Sequence, residues 1–212
     1  MGVYSDAELR REMALFTDWF LPKLIGYNTN AQERAMLETT FDTLVTSALA
    51  QPQVLVHRDY HSRNIIYREA APLGVIDFQD GVVGPITYDL VSLLRDCYVA
   101  WPQSQVETWA LDYMAQAKAF NLLIADVDAV TFMRWFDLMG LQRHIKVLGI
   151  FARLSLRDGK DRYLNDLPLV IAYVRYVAKK HPELSPFFVW FEEVVVPRAQ
   201  ACDWFHSVDI HL

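Results

Sequence analysis

Residues 53–78 restrict what this chain can fold into more than any other stretch. VLV, NIIY and LGVID are short β-branched runs, cut apart by polar or proline-containing segments. That texture predicts brief strands joined by hairpins and tight loops. Elsewhere apolar residues recur every three or four positions, which predicts helices. The expected fold class is therefore α+β and mainly helical, with its one β-rich stretch in the middle of the chain. Polar side chains cluster at the ends of the strand-like runs, where sites are built, rather than along a helix face.

Within that stretch His57, Asp59 and Asn64 occupy the spacing H-x-D-x-x-x-x-N, and Asp77 follows a second apolar run 18 residues after Asp59. The spacing points to phosphoryl transfer, which asks the protein for placement and charge neutralisation rather than covalent chemistry. Asp59 is the candidate catalytic base, orienting an acceptor hydroxyl and taking its proton. Asn64 and Asp77 supply hard oxygen ligands suited to Mg²⁺. Asp80 is either a further metal ligand or a solvated turn residue. A competing reading makes His57, Asp59, His61 and Asp77 a metal-dependent phosphohydrolase.

The flanks read as packing helices. Ser5 with Glu8, Asn30 with Glu33, and Ser104 with Glu107 have capping-box spacing, and Thr87 is a candidate cap before Leu90 and Leu94. Leu9, Met13, Phe16, Phe20 and Leu24 share one face of the first helix. Pro52 ends the second. A long helix is expected from about Asp126 to Leu156, ended by Asp158-Gly159, with two more near 166–180 and 186–200.

A hydrophobic content of 53% against 22% charged residues supports one large core and excludes a disordered chain. The net charge of −6 argues against nucleic acid or a membrane surface as a general partner. No run reaches the roughly 20 apolar residues that span a bilayer, and the N-terminus has no apolar signal region. Two distant cysteines, Cys97 and Cys202, suggest reduced thiols. A cytoplasmic protein of one domain is the expectation.

The wording HRDYHSRN with IDFQD resembles the catalytic and metal-binding loops of the aminoglycoside phosphotransferase and choline kinase family, small-molecule kinases with a protein-kinase-like fold. His61 matches the second histidine of that group's H-x-D-x-H-x-x-N pattern and is a candidate substrate contact. GPITYDLVSLLRD resembles the segment after the metal-binding aspartate, so Asp89 is expected to brace the catalytic loop, with His57 as a second structural support. HRDYHSRN, IDFQD, GLQRHIKVLGIFARL and RDGK are similar, within this family, to bacterial cell-wall sugar kinases. That likeness implies ATP as co-substrate, Mg²⁺, and N-acetylmuramate or N-acetylglucosamine phosphorylated at the anomeric hydroxyl in peptidoglycan recycling. Related antibiotic or amino-alcohol kinases are the alternative.

Two departures matter. Gln79 stands where such loops usually carry glycine, which predicts a constitutively set metal loop. The family resemblance also calls for a β-rich nucleotide lobe with a phosphate-covering loop and a lysine. Only 56 residues precede His57, they read as helices, and Lys23 is their only lysine. The chain thus looks like the C-terminal lobe alone, lacking its N-terminal partner lobe and expected to have little or no kinase activity in isolation; a non-catalytic pseudokinase module is a further reading. Arg143 and His144, cationic in a largely apolar helix, are candidate substrate contacts, with pairing to the acidic excess as the alternative.

Overall fold

Short polar residues start the helices where sequence and backbone agree. Asn30 Oδ1 accepts the Glu33 amide at 2.9 Å and Glu33 Oε2 accepts the Asn30 amide at 2.8 Å. This reciprocal box opens α2 (Ala31–Leu49) in the computed structural model, which describes residues 2–208. Two other caps differ from expectation. The Thr87 hydroxyl donates to Gln51 Oε1 at 2.7 Å instead of capping α3 (Tyr88–Leu94). Helix α4 (Gln103–Ala119) starts one step before Ser104, because Pro102 already provides the extended residue at its head.

Contacts divide the chain into two compact units. The first holds residues 2–6 and 47–140, the second residues 7–46 and 141–208. In the first unit β5 (Val82–Pro85), which lies past the end of the expected β-rich stretch, is the central strand of three. It pairs antiparallel with β2 (Gln53–Val56), from Gln53 opposite Pro85 to Val56 opposite Val82. It pairs parallel with β1 (Gly2–Val3), a strand outside the expected β-rich stretch and too short to show alternation. A separate hairpin joins β3 (Ile65–Ile66) to β4 (Gly74–Val75), with Ile65 opposite Val75.

Helix α3 packs closely on the first half of α5 (Ala129–Asp158). A Cβ added to Gly140 would sit 2.9 Å from Val91 Cγ2, so this crossing tolerates only glycine without movement. The buried Arg95 Nη2 donates to Asp137 Oδ1 at 2.8 Å across the same contact.

The second unit begins with α1 (Asp6–Leu15), which runs into a wider π-helical segment, Phe16–Leu24. Leu9, Met13, Phe16 and Phe20 are buried as the spacing predicts. Beyond Phe20 the face shifts: the Ile25 amide donates to Phe20 O, five residues back, at 3.0 Å. The longer turn buries Leu21 and Ile25 and leaves Leu24 half-exposed. Pro22, which has no amide to donate, lies inside this segment.

The second half of α5 closes as expected. Gly159 takes φ +65, and the Gly159 and Lys160 amides bond the carbonyls of Ser155 and Leu154 at 2.9 and 3.0 Å. Helices α6 (Leu167–Lys180), α7 (Ser185–Trp190) and α8 (Val196–Gln200) complete the unit, the last two linked through a π-turn. Glu12 is buried here and accepts from Lys146 Nζ at 2.8 Å and Gln142 Nε2 at 3.4 Å. Among the described residues no helix is long and apolar enough to cross a membrane.

Candidate active site

The site lies in the first unit, where β2 ends at the buried Val56 and the chain turns sharply. Arg58 has φ +75 and Asp77 φ +67. Side chains other than glycine rarely adopt this left-handed region, at a cost of about 1 kcal/mol or more each, and such strain persists only where surroundings over-determine it. Asp89, on the first turn of α3, does so for Arg58. Its Oδ2 accepts the His57 amide at 2.6 Å and its Oδ1 the Arg58 amide at 3.0 Å. The Arg58 guanidinium lies 5.4 Å from the centre of the Tyr4 ring.

Beyond this turn the loop closes on the Asp59 carbonyl, which accepts the His61 amide at 3.1 Å and Asn64 Nδ2 at 3.0 Å. Because the Asn64 nitrogen is committed there, its carbonyl oxygen is the atom left for a ligand. The backbone carbonyl of Asn64, distinct from that side-chain oxygen, accepts the Ile76 amide at 3.1 Å, extending the β3–β4 ribbon by one rung. Asp77 is the next residue after that rung. The backbone thus gathers Asp59, Asn64 and Asp77 at one corner. His57 Nε2 lies 2.9 Å from the Ile76 carbonyl.

Asp77 is exposed, and its Oδ1 accepts Gln79 Nε2 at 2.8 Å. An amide oxygen and a carboxylate on adjacent rungs fit Mg²⁺, which keeps several waters and takes few protein ligands. No three His, Cys, Asp or Glu side chains converge as a metal site among the described residues. Leu55, His57, Tyr60, Phe78, Gln79 and Asp89 line an open cavity of about 680 Å³ beside the loop, a volume typical of small-molecule sites.

The remaining candidates have other surroundings. The His61 ring meets Tyr98 edge-to-face at 5.4 Å. Asp80 lies in an exposed turn in which the Gly81 amide bonds Phe78 O at 3.2 Å. Arg143 and His144 belong to the second unit and are buried, His144 stacked on Tyr173 at 4.9 Å. Asp96 was not singled out from the sequence, yet it contacts the loop. It lies two residues beyond the end of α3, where the backbone has already left helical geometry at Arg95, so helical spacing from Asp89 does not locate it.

Residues 6–128 match the phosphotransferase enzyme family. That is more than half of the chain, and the chain belongs to this family. Among curated proteins it is similar to the N-acetylmuramate/N-acetylglucosamine kinase of Pseudomonas putida, 48% identical over 183 residues, covering 86% of this chain and 53% of that protein. The enzymes of the same name from Neisseria meningitidis and Pseudomonas aeruginosa are each 43% identical, covering 91% and 87% of this chain and 57% and 54% of their own. The chain spans about half the length of the curated relatives it matches.

Proposed function

We propose that this chain is the acceptor-binding and catalytic part of a cytoplasmic amino-sugar kinase that phosphorylates N-acetylmuramate or N-acetylglucosamine at the anomeric hydroxyl. The observation that supports this reading is the backbone rung between Asn64 and Ile76, the residue before Asp77, next to the Asp59 loop. The names of the relatives support the acceptor.

Asp59 holds the sugar hydroxyl and takes its proton as that oxygen bonds the terminal phosphorus of ATP. The bond from phosphorus to the bridging oxygen breaks, and ADP leaves with the electron pair. Mg²⁺ held at Asn64 and Asp77 would neutralise phosphate charge. His57 and Asp89 keep the loop in its left-handed turn. Residues 2–52 contribute β1, α1 and α2 rather than a phosphate-covering sheet, so the ATP site calls for a second lobe that these residues do not form.

The test is phosphate transfer by the full-length gene product, with ATP and each amino sugar, and the product identified as a 1-phosphate by ³¹P NMR. Asp59→Asn should lower kcat at least ~100-fold with little change in acceptor KM. Transfer to an aminoglycoside or choline with neither sugar accepted would overturn the acceptor. The 212-residue chain alone should turn over ATP far more slowly than the full product; equal rates would refute the need for a second lobe.

A further inference from the structure

We infer that Asp96 is a second positioning carboxylate, which pins the Asn64 side of the catalytic loop as Asp89 pins the Arg58 side; its catalytic meaning rests on the kinase reading above. Asp96 is 1% exposed. Its Oδ2 accepts the Ser62 amide at 2.9 Å and its Oδ1 the Tyr98 amide at 3.2 Å. Ser62 is the first residue of a short 3-10 turn, Ser62–Asn64, that ends on the proposed metal ligand. The Asn64 amide closes that turn on His61 O at 2.9 Å.

The two carboxylates share one rigid support. Helix α3 carries Asp89 in its first turn, and its last backbone bond runs from the Arg95 amide to Val91 O at 2.9 Å. Arg95 is locked by Asp137, and its guanidinium stacks 4.7 Å from the Phe136 ring centre. Asp96 therefore leaves the helix end in a fixed direction. Tyr98 strengthens the same side of the loop, with the Arg63 guanidinium 3.5 Å from its ring centre and the His61 ring against its edge. A charge-assisted bond to a buried carboxylate is a strong restraint on an otherwise exposed turn.

Two variants separate this role from general stability. Asp96→Ala removes the acceptor. Ser62→Pro removes only the donor, and the backbone suits it: Ser62 opens the turn, and His61 before it is extended at φ −136, ψ 171. In the full-length product both variants should lower kcat about 10- to 100-fold with acceptor KM within about twofold, and the double variant should lose no more than either alone.

Amide hydrogen exchange gives a reading independent of activity. In both variants the Asn64 amide should exchange at least ~10-fold faster while the α5 amides keep their rates. Wild-type Asn64 exchange and kcat in Ser62→Pro would overturn the inference, as would faster exchange throughout the chain in both variants. An inactive wild type with locally faster exchange in the variants would instead overturn the kinase reading and leave the restraint standing.

Discussion

His57 Nε2 lies 2.9 Å from the Ile76 carbonyl oxygen, which ties the end of β2 to the residue before Asp77. A carbonyl only accepts, so Nε2 carries the proton. Nδ1 is buried and has no hydrogen-bond partner among the described residues. The ring thus acts as a spacer between the loop of Asp59 and the loop of Asp77. His57→Gln, which can keep a donor near the same carbonyl, should retain more activity than His57→Ala, for which a loss of about 10-fold or more in kcat is expected. Steady-state kinetics on the two variants checks the order.

In the second unit, Lys146 Nζ and Glu12 Oε1 are 2.8 Å apart, with side chains only 11% and 4% exposed. Removing the lysine takes the cation from a buried carboxylate and leaves it the neutral Gln142 amide, so Lys146→Met should cost about 3 kcal/mol. The double replacement Glu12→Gln with Lys146→Met should recover much of that loss. Urea unfolding of the three variants measures the coupling.

Helix α5 meets α1 through Gly149. A Cβ there would lie 2.2 Å from the Leu15 carbonyl carbon and 2.5 Å from Leu15 Cβ. Backbone cannot swing aside as a side-chain tip can, so Gly149→Ala should destabilise by about 3 kcal/mol or more despite its better helix propensity. A thermal midpoint unchanged from wild type would contradict this contact.

Burial pushes the Glu33 carboxyl up, but hydrogen bonds from the Tyr27 hydroxyl, the Asn30 amide and Trp190 Nε1 outweigh it and hold the group below the usual carboxylate range. A lowered folded pKa means stability that is present above the ordinary carboxylate pKa and lost as pH falls through the folded one. The effect is small for a half-buried group, under about 1 kcal/mol. Glu33→Gln should flatten the acid side of the stability profile below about pH 4.3. Urea midpoints measured between neutral and acid pH read it out.

The order of elements was legible in local chemistry. Asn30 with Glu33 marks a helix start, Gly159 marks an end, and β-branched runs mark β2, β3 and β4, because caps, left-handed turns and strand alternation are decided within a few residues. The spacing of His57, Asp59, Asn64 and Asp77 likewise named a chemistry. Other features depend on neighbours distant in sequence. Thr87 has the right residue type to cap α3, yet Gln51 captures its hydroxyl. The π-widening after Phe16 moves the buried face from Leu24 to Leu21 and Ile25. Asp96 is one acidic residue among 26 until the end of α3 carries it against Ser62. A carboxylate's role depends on which amide it meets, and only the folded chain brings the two together.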